Sequence, residues 1–133
     1  MRSMVLDTHA IVWYLLEPSR LSDRALSSIR QAVREGDPVF VSAVSILELI
    51  YLVEKGRIDG LALTLLVERL SSPNAGIICV PFDYRTALAA RQIPRDQVPD
   101  MPDRMIAATA LHLGVPLVTR DRRIQESGVQ TVW

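Results

Sequence analysis

The sequence predicts an α/β protein, a three-layer α/β/α sandwich around a short-stranded, mainly parallel central sheet, and three observations carry that reading. The strand-like runs are short and apolar throughout, as in "MVL", "VFV" and "IICV", which is how strands covered on both faces read. Helix-length segments separate them where an antiparallel protein would have two-residue turns, so the strands pair in parallel. Finally, 133 residues with 49% hydrophobic and 23% charged content suit one domain, residues 1–133, built on a single sheet.

Taken in order, the chain opens with a strand at residues 4–6 and a helix over 8–16 that Pro18 closes off. In "SDRALSSIRQAVREG", Ala25, Leu26, Ile29, Ala32 and Val33 share one helical face, with Ser22 as cap and Gly36 as stop. Residues 39–41 form the next strand, after Asp37 and Pro38. Two apolar helices follow, "AVSILELIYLVEKG" and "LALTLLVERL", the second ending before Pro73. Residues 77–80 are a third strand, "DYRTALAARQ" a helix, and "DRMIAATALHLG" a helix ended by Gly114. "VPLVTRD" is a strand that runs into a carboxylate, Arg122 to Ser127 a short helical turn, and "VQTVW" the last strand. In such sheets ligands gather outside the carboxyl ends of the strands, where strand order reverses. Asp7 follows the first strand directly and Asp121 follows "LVT" as closely, so both are expected at one rim.

Composition excludes several classes. No apolar run approaches the roughly 20 residues of a membrane span, and "MRSMVLD" has no extended apolar signal region. The single cysteine, Cys79, provides neither a disulfide framework nor a cysteine metal site. A cytoplasmic protein without membrane partners is the expectation. Net charge is zero, but every basic residue except Lys55 is arginine. That choice suits phosphate oxygens, and a GC-rich genome explains it equally well. If Asp7, Glu48, Asp103 and Asp121 are set aside, 11 acids face 15 bases, a mildly basic surround.

Those four carboxylates are the candidate catalytic and metal-binding residues, and each has an ordinary alternative. Asp7 and Asp121 stand where helix N-caps stand. Asp103 is placed as the third helical residue of a capping box opened by Asp100. Glu48 is flanked on most sides of its helix by Val44, Ile46, Leu47, Leu49, Ile50, Leu52 and Val53. A carboxylate there is costly unless paired; its alternative is a polar stripe with Ser45 and Lys55 facing water. What singles the four out is coincidence, because a doubly wound sheet can bring all of them to one place. Carboxylates so gathered repel unless a cation neutralises them. Oxygen donors without cysteine or a paired-histidine pattern fit a hard ion, Mg²⁺ or Mn²⁺.

In "VLDTHAIVWYL", "VSAVSILEL" and "DRMIAATALHLGVPLVTRD", and in their order, the chain resembles the PIN-domain family, and within it the VapC-type toxins of type II toxin-antitoxin systems. The resemblance runs from about residue 4 to the C-terminus. It implies a metal-dependent endoribonuclease that leaves a 5′-phosphate and a 3′-hydroxyl, with Asp7, Glu48, Asp103 and Asp121 as the acids and Thr119 of the "T-x-D" ending as a supporting hydroxyl. It also implies an RNA substrate and an antitoxin that covers the site, for which a basic side chain among the acids is a natural handle. One departure is visible: similar sequences carry proline immediately after the acid matching Asp100, whereas here Met101 intervenes before Pro102.

The remaining candidates read otherwise. His9 and His112 lack the spacing of a zinc protease, and Ser42 and Ser45 lack the glycines of a nucleophile elbow. A phosphatase that uses the first-strand aspartate as nucleophile needs a second Asp two residues on, where His9 stands. Trp13, Tyr14 and Tyr51 lie in apolar runs that suit core or interface packing. Arg104, Arg120, Arg122 and Arg123 flank the acids and either hold RNA phosphates or are simply solvated. Apolar excess on the two middle helices predicts a two-fold homodimer. The non-enzymatic alternative is a catalytically silent PIN-like module that binds RNA or protein without cutting it.

Overall fold

The computed structural model describes residues 2–133. Five strands form one sheet, β1 (Met4–Leu6), β2 (Val39–Ser42), β3 (Ile77–Val80), β4 (Leu117–Val118) and β5 (Thr131–Val132), in the order β3-β2-β1-β4-β5. Every pairing is parallel. Strand order therefore reverses beside β1, whose neighbours are β2 on one side and β4 on the other.

Alternation along the strands divides the apolar side chains between two layers. Met4, Leu6, Val39, Val41 and Val118 enter one core, packed by α1 (Thr8–Leu16), α2 (Asp23–Glu35) and α4 (Leu61–Ser71). Val5, Leu117 and, at its margin, Phe40 enter the other, with α5 (Tyr84–Ala89), α6 (Met101–Leu113) and α7 (Arg122–Gln125). The expected three-layer sandwich is thus present. The helix α3 (Ala43–Glu54) serves both layers, with Ile46, Leu49 and Val53 against the first core and Val44 against the second. It therefore bridges the two layers directly after β2, which sets Glu48 beside the strand ends.

Capping follows the sequence closely. Ser22 accepts the Ala25 N–H at 3.0 Å, Ser42 the Val44 N–H at 3.1 Å, and Gly36 and Gly114 end α2 and α6 at φ 75° and 69°, the left-handed conformation glycine adopts without strain.

Several boundaries differ from expectation. The segment read as one helix over "DYRTALAARQ" is α-helical only to Ala89 and tightens into a 3-10 turn over Ala90–Gln92. The Ala90 and Ile93 carbonyls at this turn accept the Arg104 guanidinium at 2.8 and 3.1 Å. The helix α6 starts two residues before Asp103, because Asp100 caps it and Pro102 sits in its first turn, where no N–H is needed. The last two strands shrink to two residues each. Among the described residues no helix is long and apolar enough to cross a membrane.

Leu49 is fully buried one residue from Glu48 and holds α3 against the first core. Leu49→Ala is expected to cost about 2–5 kcal/mol, read as a lowered urea midpoint at unchanged m-value. A loss within experimental error would mean that this contact does not anchor the helix.

Candidate active site

Asp7 leaves β1 and caps α1, its Oδ1 accepting the Ala10 N–H at 2.8 Å. It also lines a cavity of about 280 Å³ with Asp103, Asp121, His9, Trp13 and Arg120. The capping alternative is therefore correct and does not exclude a second role. Burial pushes the Asp7 carboxyl above its ordinary value, with a further push from Glu48, against hydrogen bonds from the Thr119 hydroxyl and Ala10 and the nearby His9.

Asp121 likewise caps a helix: its Oδ1 accepts from the Arg123 and Ile124 N–H groups at 2.8 and 3.4 Å. Thr119, fully buried, joins the two acids. Its hydroxyl accepts the Asp121 N–H at 3.1 Å and favours the charged form of the nearby Asp7, its carbonyl accepts the Gln125 side-chain amide at 3.0 Å, and the Asp7 N–H donates to the Val118 carbonyl at 3.2 Å. The loop after β4 is thereby tied to the end of β1.

Asp103 lies in the first turn of α6, and its N–H donates to the Asp100 cap at 3.1 Å. Its carboxyl is pushed up to about 7, by burial first and then by the like charges of Asp100, Asp121, Glu48 and Asp7. Asp103 thus feels all three other candidate acids. Glu48 is half-buried on α3, next to the cavity without lining it. The water-facing stripe proposed for it fails at Ser45, which is fully buried and accepts the Thr8 hydroxyl at 3.0 Å, joining α1 to α3.

Three of the four acids thus surround one cavity, and the fourth stands within electrostatic reach. Among the described residues, no three Asp, Glu, His or Cys side chains are already drawn together at metal-holding range. The donor set is all oxygen, which fits a hard divalent ion whose shell is completed by water.

The flanking cations divide. Arg104 points away from the acids and is spent on the Ala90 and Ile93 carbonyls, so neither the phosphate-holding nor the solvated reading holds for it. Arg120 lines the acid cavity and lies over the Trp13 ring, 4.9 Å from its centroid. Arg122 and Arg123 are exposed. His112 lies away from the acids, whereas His9 lines their cavity with its ring 5.7 Å from that of Trp13. Trp13 is the residue that sequence reasoning undervalued. It is buried among core residues and also walls the acid cavity; the available signal was its position four residues after His9, on the same helical face.

A short parallel sheet with carboxylates collected at its switch point defines an α/β protein with an acidic rim. The chain belongs to the PIN-domain family, whose model matches residues 4–129. It is 36% identical over 127 residues to Ribonuclease VapC22 of Mycobacterium tuberculosis, covering 94% of this chain and 92% of that protein. Among solved structures it resembles VapBC2 from Rickettsia felis bound to a DNA fragment from their promoter, with TM-score 0.71, 16% identity, and 98% and 99% of the two chains covered. It also resembles FitAcB from Neisseria gonorrhoeae, with TM-score 0.61, 25% identity, and 96% and 95% covered.

The raised carboxyls carry a sign. A folded-state value above the unfolded one means that stability is full at low pH and is lost as pH rises through the folded value. For Asp103 the window runs from its ordinary 3.8 to about 7. Thermal melts in EDTA should show the metal-free protein losing stability across that window, with Asp103→Asn flattening the loss and Mn²⁺ reversing it. An identical pH slope in wild type and Asp103→Asn would show that Asp103 is not the group under strain.

Proposed function

We propose that this chain is a Mg²⁺- or Mn²⁺-dependent endoribonuclease, the toxin of a toxin-antitoxin pair, hydrolysing RNA phosphodiester bonds at the rim formed by Asp7, Glu48, Asp103 and Asp121. The observation that carries the reading is the cavity that Asp7, Asp103 and Asp121 line together, where like charges raise the Asp103 carboxyl, in a PIN-domain chain related to a protein named a ribonuclease.

Asp7, Glu48 and Asp103 would hold the ion, directly or through water, and Asp121 would act through water. When bound, the ion supplies Lewis-acid polarisation of the scissile phosphate and eases deprotonation of the attacking water. The chain's own part is positional. Thr119 orients the Asp7 carboxylate and the Asp121 backbone together. Asp7 and Asp121 keep one oxygen each on a helix N-terminus, so their remaining lone pairs face the cavity. Arg120, at the cavity wall, meets the RNA backbone. In-line displacement by water then releases a 5′-phosphate and a 3′-hydroxyl, with no covalent bond to the protein.

The non-enzymatic alternative is a silent RNA- or protein-binding module, which would need no metal. Cleavage of a mixed RNA pool that depends on added Mn²⁺ and is abolished by EDTA separates the two. Asp7→Asn, Glu48→Gln and Asp103→Asn should each lower the cleavage rate by at least about a hundredfold, the scale on which loss of a developing-charge stabiliser is felt. Asp121→Asn should recover activity as Mn²⁺ is raised. Unimpaired cleavage in any of the first three variants removes that residue from the ion's ligands.

Two partners complete the proposal. The solved structures of similar fold include VapBC2 from Rickettsia felis and VapBC from Salmonella typhimurium, which fits an antitoxin whose basic side chain enters the acid cavity. Leu47 and Tyr51 on α3, with Leu61 and Val67 on α4, are each at least half exposed, which supports a homodimer through these helices. Light scattering at micromolar concentration should give about twice the chain's 14.8 kDa. A mass equal to one chain would refute the dimer.

A further inference from the structure

A second cavity, of about 480 Å³, adjoins the acid cavity and shares His9, Trp13 and Arg120 with it. Its floor carries Leu16, Leu52 and Ile58, and its polar groups include Arg20 and Arg57. Arg20 and Arg120 both lie over the Trp13 ring, at 4.8 and 4.9 Å from the centroid. A guanidinium placed over an indole ring is positioned without using its N–H donors.

Those donors are uncommitted. Among the described residues the one ion pair joins Arg2 to Glu35, and no side-chain hydrogen bond within the protein engages Arg20, Arg57 or Arg120. Two acids, Glu17 and Asp59, share the cavity wall without pairing to them. Asp59 is occupied at the start of α4, accepting the Leu61 N–H at 2.9 Å. The cavity is therefore net positive, partly apolar, and within the size range of a small-molecule site. It opens beside a rim that is strongly negative.

We propose that this cavity is the subsite for the RNA nucleotide adjacent to the scissile phosphate, with Arg20, Arg57 and Arg120 binding backbone phosphates and the apolar floor receiving sugar and base. The proposal rests on the ribonuclease reading of the acid rim and extends it, since Arg120 belongs to both cavities and so joins the reacting phosphate to the next one along the strand. Base stacking on Trp13 is not part of it, because that ring is buried and already carries guanidinium groups.

The test is binding of a fluorescein-labelled single-stranded RNA of twelve mixed nucleotides to the full chain in EDTA, followed by anisotropy over a range of salt. Arg20→Gln and Arg57→Gln should each weaken binding about fivefold and lower the salt slope by about 0.7, the value for one single-strand phosphate contact. Arg30→Gln, an exposed arginine on α2 outside both cavities, should change neither. If Arg20→Gln disturbs Trp13 and unfolds the protein, Arg57→Gln, at an exposed position, still decides the matter. Equal losses in all three variants would mean bulk charge and overturn the subsite, as would unchanged affinity in Arg57→Gln, which would leave the cavity to a protein partner. Failure of the ribonuclease reading appears elsewhere, as absence of Mn²⁺-dependent cleavage by the wild type, so the two outcomes are separable.

Discussion

Like charges that would separate in a flexible chain are held together here by backbone connectivity, and most of the architecture around the rim can be read as the means of holding them. Asp7 directly follows β1 and Asp121 lies three residues beyond β4, and the parallel β1–β4 pairing sets both at one rim. Three of the four acids sit at helix N-termini: Asp7 caps α1, Asp121 caps α7, and Asp103 lies in the first turn of α6. Unpaired N–H groups and the positive end of the helix dipole offset part of the repulsion there. Glu48, mid-helix on α3, has no such offset, and it is the one that stands outside the cavity wall.

The core explains why this rim is rigid. Successive residues of β1 enter opposite layers, Met4 and Leu6 one way and Val5 the other, so neither layer can move without the strand that carries Asp7. The bridging position of α3 has the same effect on Glu48, and the buried Thr8–Ser45 hydroxyl pair fixes the start of α1 against α3. Two buried hydroxyls satisfied only by each other tolerate little displacement, because separation leaves both unpaired.

Much of this was legible in the sequence, for identifiable reasons. Short apolar strands between helices determine parallel pairing and two covered faces, and serine, glycine and aspartate at helix ends determine the caps. That Asp7 and Asp121 lie at the same rim follows from that alone. Strand order, in contrast, depends on contacts distant in the chain, and no local pattern carries it. Arg104 was illegible for a similar reason: its partners, the Ala90 and Ile93 carbonyls, lie more than ten residues away in the chain. The Trp13 cluster was missed because an aromatic in an apolar helical run looks the same whether or not arginines from other segments lie against it. The water-facing alternative for Ser45 fails because a hydroxyl's partner, not its helical phase, decides whether it can be buried.

The double use of Asp7 and Asp121 has a consequence for how substitutions at the rim are read. Alanine at either position removes a helix cap and a charge together, and loss of the cap alone typically costs about 1 kcal/mol. Asparagine keeps an oxygen for the N–H groups and removes only the charge. A functional loss with asparagine therefore reports on the charge at the rim, whereas the same loss with alanine mixes the chemistry with the geometry of the helix that presents it. Asp103 differs, because Asp100 and not Asp103 supplies the cap of α6. There the charge can be removed by either residue without touching the helix end, which makes Asp103 the position where electrostatic strain and helix stability are most cleanly separated.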